Sequence, residues 1–180
     1  MLVVIWLLLA TAEQAQPEVD MSLASAVVHR PLNVADREAF KALTEAAVVL
    51  CSPPDKPSEL AVAFAKAVAT KRSTPTVSPP GHLLATGPIL DGPDRVLPHR
   101  LIRRGSQLEL EILHTAVRLQ DAQLRRNIIW RPLVEVPLSL SPGSYSVRVT
   151  WLAVTELPNG EPLESSPRVH SMKFVIQARN

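Results

Sequence analysis

Five histidines and one cysteine are the side chains of this chain that could bind a metal ion or act in covalent chemistry. The histidines are His29, His82, His99, His114 and His170, and the cysteine is Cys51. No two histidines have the short spacing of a zinc motif, and no cysteine stands beside a late histidine and methionine as in a blue-copper centre. The sequence also lacks a glycine-rich phosphate loop and a nucleophile elbow. We therefore predict no catalytic residue, no metal ligand and no cofactor.

A site assembled from residues far apart in the sequence is the main alternative. The scattered side chains that a fold could bring together in a metalloprotein or an enzyme are Cys51, His82, His99 and His114. Cys51 follows the apolar run 46–50, which is typical of a buried free cysteine. Because it is the only cysteine, it can form no intrachain disulfide, and the chain is not a disulfide-stapled domain.

The clearest element that could position a site is a strand over residues 144–155. Pro142-Gly143 is a turn signal, because proline presets φ and glycine accepts unusual backbone angles. After this turn, Tyr145, Val147, Val149 and Trp151 alternate with Ser146, Arg148 and Thr150. This period of two predicts a strand with one buried face and one exposed face.

Further strands are predicted from about residue 95 to the end of the chain. Leu108, Leu110 and Ile112 alternate with glutamates, and an apolar segment over 127–138 is broken by two prolines. Asn159-Gly160 signals a tight turn before a last strand over 169–176. Short strands separated by turn signals predict a mainly β domain of the sandwich type.

The motif Leu140-x-Pro142-Gly143-x-Tyr145 resembles the entry to a late strand in immunoglobulin-like and fibronectin type III-like β-sandwiches. The resemblance covers about residues 95–180 and concerns the fold class alone. It implies an antiparallel sandwich in which the Tyr145 hydroxyl bonds back to upstream backbone and Trp130 lies on an earlier strand. The predicted structural residues are Pro142, Gly143, Tyr145, Trp130 and Trp151. Such sandwiches carry many unrelated functions, so the resemblance implies no activity.

The first residues of the chain have the pattern of an export signal. An apolar run precedes the small-x-small sequence Ala10-Thr11-Ala12, which predicts a signal peptide over 1–12 that is cleaved after Ala12, with a buried N-terminal strand as the alternative. The run is too short for a permanent membrane span. The sequence therefore predicts a secreted or periplasmic protein.

Between this signal and residue 95 we predict two segments. Residues 13–71 form a partly helical region, in which Leu60, Phe64 and Val68 share one helical face, although with Val62 they also alternate as in a strand. Residues 72–94 are rich in Pro, Ser, Thr and Gly and form a linker or long loop, with room for one short strand around His82 to Ala85. The β-sandwich domain then occupies residues 95–180.

Charge and composition restrict the function. The net charge of +2 is too small to indicate nucleic-acid binding by itself. We therefore predict an exported, non-catalytic binding or structural module, which presents loops or an edge strand to a protein or a component of the cell envelope. A further alternative is a protease-inhibitor-like sandwich that uses an exposed loop over 157–167.

Overall fold

The computed structural model describes residues 17–30, 34–41, 43, 45, 47–52, 54–69, 74–88, 94–117, 131–157 and 159–178. The predicted signal peptide and Trp130 lie outside these described residues. The strands within them are β1 (Glu18–Asp20), β2 (Val27–His29), β3 (Ala47–Cys51), β4 (Thr76–Val77), β5 (Gly81–Thr86), β6 (Asp94–Arg104), β7 (Gln107–Val117), β8 (Leu133–Leu138), β9 (Gly143–Glu156) and β10 (Pro162–Ile176). The helices are α1 (Val34–Lys41) and α2 (Leu60–Ala69), and a 3₁₀ turn at Pro57–Glu59 leads into α2.

The strands form two packed sheets, so the prediction of a mainly β, sandwich-like fold is confirmed. One sheet has the order β1-β6-β7-β9-β10-β4, and the other has the order β2-β8-β5-β3. The predicted alternation is present in β9, where Tyr145, Val147, Val149 and Trp151 are buried and the residues between them are not. We refer to these as the six-stranded and the four-stranded sheet.

The sheets depart from a wholly antiparallel arrangement at two places. β7 pairs with β9 in parallel, and β4 pairs with β10 in parallel. The first of these pairs has a topological cause: β8 lies in the opposite sheet, so β9 returns to the six-stranded sheet in the same direction as β7. The predicted antiparallel order therefore holds only for the other pairs of the described strands.

The main core lies between the two sheets. The four-stranded sheet contributes Leu83, Ala85, Val134 and Val136, and the six-stranded sheet contributes Leu110, Ile112, Val149, Trp151 and Phe174. Trp151 is fully buried and is the largest of these side chains. Gly87, just after β5, lies directly against its indole ring. The indole of Trp151 in the six-stranded sheet thus packs directly on the backbone of the segment that follows β5.

The two helices cover the outer face of the four-stranded sheet. Phe40 of α1 and Phe64 of α2 pack together, with ring centroids 6.3 Å apart, against Leu84 and Leu133 of the sheet. Val62 is exposed while Phe64 is buried, although a strand would place both on one face. The segment therefore forms the predicted helix and not the alternative strand. The helices therefore make a third layer over one sheet.

Residues before 95 contribute strands to both sheets. β1 pairs with β6, β2 pairs with β8, and β3 pairs with β5. β4 and β5 lie within the segment for which the sequence predicts a linker or loop. Neither helix in the described part of the chain has the length and apolar character needed to cross a membrane.

Candidate functional site

A groove of about 690 Å³ lies where the edge of the four-stranded sheet meets the edge of the six-stranded sheet. We call it the β3–β10 groove. Its lining comes from β3 (Ala47–Cys51), from α2 (Ala63, Lys66, Ala67 and Val68), from residues 75–77 around β4, and from residues 171–173 of β10. Most of these side chains are apolar, so the groove can bury the apolar part of a ligand.

The charged side chains that line this groove are both lysines. Lys66 comes from the last turn of α2, and Lys173 comes from β10. Both are exposed, and no Asp or Glu of the described residues lines the groove. The rim therefore favours a ligand that carries negative charge.

Within the described part of the chain, β4 is the strand that pairs with the outer edge of β10 beside the groove. β4 covers only Val175 and Ile176, where Val175 N donates to Pro75 O and Gln177 N donates to Val77 O, each at 3.0 Å. Backbone groups point to alternate edges along a strand, so the amides of Lys173 and Ser171 face the same outer edge. Over 167–174, no strand of the described residues pairs with that edge.

Cys51 lines the groove but is a poor nucleophile. Burial raises the pKa of the Cys51 thiol, and the nearby carboxylate of Glu135 adds a smaller effect in the same direction. Together they raise this pKa to about 11. The thiolate is the form of cysteine that attacks carbon or binds metal, and at neutral pH this thiol keeps its proton. In this environment Cys51 acts as an apolar wall of the groove.

A row of polar side chains crosses the outer face of the four-stranded sheet behind Cys51. His29 Nε2 lies 2.5 Å from one oxygen of Glu135, and His82 Nδ1 lies 2.5 Å from the other. Cys51 is paired with His82 across β3 and β5. Each of the four strands thus contributes one of these side chains, and each oxygen of the Glu135 carboxylate lies within hydrogen-bond distance of one imidazole nitrogen.

The remaining histidines of the scattered set lie elsewhere. His114 is fully buried in the six-stranded sheet, where its Nε2 is 2.9 Å from Asp94 Oδ2 and its ring meets the edge of Trp151. His99 is exposed on β6. The fold therefore brings Cys51 and His82 together but separates them from His99 and His114. Among the described residues, no three His, Cys, Asp or Glu side chains form a group that could hold a metal ion.

The structural residues predicted from the β9 motif lie at the entry to that strand. The Tyr145 hydroxyl donates to the carbonyl oxygen of Ser141 at 2.9 Å, four residues upstream. The Tyr145 ring stacks on Phe174 of β10, with centroids 5.6 Å apart. Pro142 is exposed in the turn, and Gly143 starts β9 beside the tyrosine ring. These residues fix the turn between β8 and β9.

The predicted exposed loop over 157–167 is shorter in the structure. β10 begins at Pro162, so the connection from β9 is the five-residue segment 157–161. It is closed by Leu157 N donating to Glu161 O and Gly160 N donating to Leu157 O, each at 2.8 Å. The segment offered by the protease-inhibitor alternative is thus a short hairpin connection followed by the start of β10, and that alternative stays a prediction.

Comparison with known proteins gives no identification: no family model, no curated protein and no solved structure matches this chain. The site is therefore defined by its own geometry.

Sequence reasoning missed Lys66, Lys173 and Glu135 as site residues. A carboxylate between Val134 and Val136 in an apolar strand was a usable signal for Glu135, because a charge on a covered sheet face needs partners. No spacing or motif links the two lysines, because they lie 107 positions apart on different elements.

Proposed function

We propose that this protein is an exported, non-catalytic binding module and that its partner occupies the β3–β10 groove. The observation that supports the proposal most strongly is the groove itself, an apolar cleft that two lysines flank. Ligand sites in proteins are commonly concave and mostly apolar, with a few polar groups that fix orientation.

The alternative of an enzyme or metalloprotein has one observation in its favour, the juxtaposition of Cys51, His82 and Glu135. The raised pKa of the Cys51 thiol opposes it, because neither thiolate attack nor thiolate ligation is favoured at neutral pH. The two histidines already hydrogen-bond with Glu135, which is a structural use of these ring nitrogens. Stoichiometric metal in the purified protein that is lost in Cys51→Ala and His82→Ala would favour the alternative.

We also propose that the strands of residues 95–180, together with the strands that earlier residues add to both sheets, form an immunoglobulin-like sandwich. The bond from Tyr145 to Ser141 supports this proposal, because it has the character of a tyrosine corner. An immunoglobulin-like topology of this chain would have to include the parallel pairing of β7 with β9.

Two tryptophan substitutions on one helix test the proposed binding role. Ala63→Trp places an indole in the groove, whereas Val62→Trp places the same ring on the exposed side of α2. We expect Ala63→Trp to abolish recovery of partners that co-purify with the wild-type protein from the cells that express it, and Val62→Trp to leave recovery intact. Equal recovery with both variants, each checked for an unchanged unfolding midpoint, would refute the proposal.

A further inference from the structure

We infer that the occupant of the β3–β10 groove is a fatty acid, whose single acyl chain lies along β3 and whose carboxylate is bound by Lys66 and Lys173. The inference rests on the proposed binding role of the groove and names the chemical class of its ligand. Three features of the lining support it: the aliphatic character of its walls, its length along one strand, and the sign of its charges.

The apolar walls of the groove are aliphatic. They are formed by alanine, valine, leucine, proline and methionine side chains and by the Cys51 thiol, and no aromatic side chain of the described residues lines the groove. The walls therefore offer an aromatic ligand no ring to stack on. Met172 is flexible and polarisable, so it adapts to an irregular apolar ligand. This composition favours a flexible hydrocarbon chain over a ring system.

The groove is elongated along β3. Its lining includes every residue from Ala47 to Ser52, which corresponds to about 17 Å of extended backbone. Its volume of about 690 Å³ lies within the range of sites that hold one small molecule. A single extended acyl chain matches this shape better than a lipid with two chains.

The charges of the lining favour an anionic head group. Lys66 and Lys173 are both exposed, and no ion pair of the described residues involves either of them. An ammonium group is a compact point charge, and a carboxylate has two oxygens, each of which can accept a hydrogen bond from one lysine. The lining contains no carboxylate among the described residues that would pair with a cationic head group.

Two carboxylates lie near the groove without lining it. Glu135 is close enough to Cys51 to act on its thiol, but each of its oxygens already lies at hydrogen-bond distance from an imidazole nitrogen. Glu45 precedes β3 and lies near His170, which is on the face of β10 opposite to Lys173. We therefore expect the anionic group to bind at the two lysines and the acyl chain to lie against Cys51.

Isothermal titration calorimetry with dodecanoate, below the concentration at which it forms micelles, tests the inference. We expect one dodecanoate to bind per chain and the cationic amphiphile dodecyltrimethylammonium not to bind. Each buried methylene changes the dissociation constant by about fourfold, so decanoate should bind about fifteenfold more weakly than dodecanoate. An affinity that does not depend on chain length would overturn the inference.

Two double variants with the same change in net charge test the role of the lysines. Lys66→Glu/Lys173→Glu reverses the charge of the lining, whereas Lys41→Glu/Lys56→Glu changes exposed lysines that do not line the groove. We expect the first to bind dodecanoate about tenfold more weakly than wild type and the second to bind it like wild type. Equal affinities of the two variants, each with an unfolding midpoint close to wild type, would refute recognition of the carboxylate by these lysines.

Cys51 reports on the position of the acyl chain, because it is the only cysteine of the chain and lines the groove. We expect saturating dodecanoate to slow alkylation of Cys51 by the neutral reagent iodoacetamide at mildly alkaline pH. Dodecyltrimethylammonium at the same concentration should leave the rate unchanged. An unchanged rate with dodecanoate bound would place the fatty acid outside the groove and overturn the inference.

The outcomes separate this inference from the proposed function. If Ala63→Trp loses its co-purifying partners but dodecanoate does not bind the wild-type protein, the groove holds another ligand and only the inference is wrong. If dodecyl phosphate or an octapeptide of alternating valine and glutamate protects Cys51 and dodecanoate does not, the ligand is a phosphate ester or an acidic peptide, and the inference is again wrong. If Ala63→Trp retains both its partners and dodecanoate binding, the proposed role of the groove fails as well.

Discussion

Gly87 is the position where a single methyl group is predicted to strain the core. A Cβ at this position would lie 2.5 Å from Cε3, 2.6 Å from Cζ3 and 2.9 Å from Cδ2 of Trp151. Favourable carbon–carbon contacts are about 3.5–4.0 Å, so the ring or the backbone after β5 would have to move by about 1 Å. Trp151 is fully buried and meets His114 at a centroid distance of 5.8 Å, which leaves the ring little freedom to shift.

The expected cost of Gly87→Ala follows from two opposing effects. Overpacking a well-packed core typically costs about 1–3 kcal/mol, and a rigid fused ring as the contacting group places this site towards the upper end. Replacing glycine reduces the entropy of the unfolded chain, which returns about 0.4–1 kcal/mol. The free energy of unfolding should therefore fall by about 1–2 kcal/mol, which lowers Tm by roughly 2–8 °C in a domain of this size.

Urea denaturation of four proteins measures this effect: wild type, Gly87→Ala, Trp151→Phe and the double variant. The three atoms that Cβ would meet belong to the six-membered ring of the indole, which phenylalanine does not place there. We expect Gly87→Ala to cost little in the Trp151→Phe background, with a coupling free energy of about 1 kcal/mol or more. An equal cost of Gly87→Ala in both backgrounds would refute the steric reasoning.

Two further predictions concern Tyr145 and Cys51. Tyr145→Phe should lower the free energy of unfolding by about 1 kcal/mol, because it removes the bond to Ser141 O but keeps the ring on Phe174, and an unchanged urea midpoint would remove the proposed corner. The Cys51 thiol should react slowly with a disulfide reagent at neutral pH and faster as the pH rises towards 11, and Glu135→Gln should move this profile to lower pH. Because the pKa is higher in the folded protein than the usual value of 9.0, the thiol's contribution to stability is present below pH 9 and is lost as the pH rises through about 11. Cys51→Ala should flatten that alkaline loss, and an identical decline in wild type and variant would contradict the assignment.

Much of the fold could be predicted from local patterns. The alternation from Tyr145 to Trp151 predicts β9 because buried and exposed side chains follow a period of two on a half-covered sheet. The α2 segment was ambiguous for a physical reason: Leu60, Val62 and Phe64 satisfy both a strand and a helix, and only the exposure of Val62 distinguishes them. Asp36 lies within the first turn of α1, where its charge favours the helix dipole.

The candidate site was beyond prediction because it is made by contacts distant in sequence. The groove exists only where β3 of one sheet approaches β10 of the other, and neither strand carries a motif for it. The crossing of β8 to the four-stranded sheet, which makes β7 and β9 parallel, leaves no local signature. The contact of Gly87 with Trp151 likewise depends on how the sheets pack, since glycine before proline reads as an ordinary loop in the sequence.

The matched tryptophan variants of α2 give the most direct measurement of the proposed binding role. The indole of Ala63→Trp would fill the β3–β10 groove, whereas the indole of Val62→Trp would lie on the exposed side of the same helix. In titration calorimetry with a partner that co-purifies with the wild-type protein, we predict that Ala63→Trp loses binding and that Val62→Trp keeps it. Equal binding by the two folded variants would contradict the assignment of the groove as the binding site.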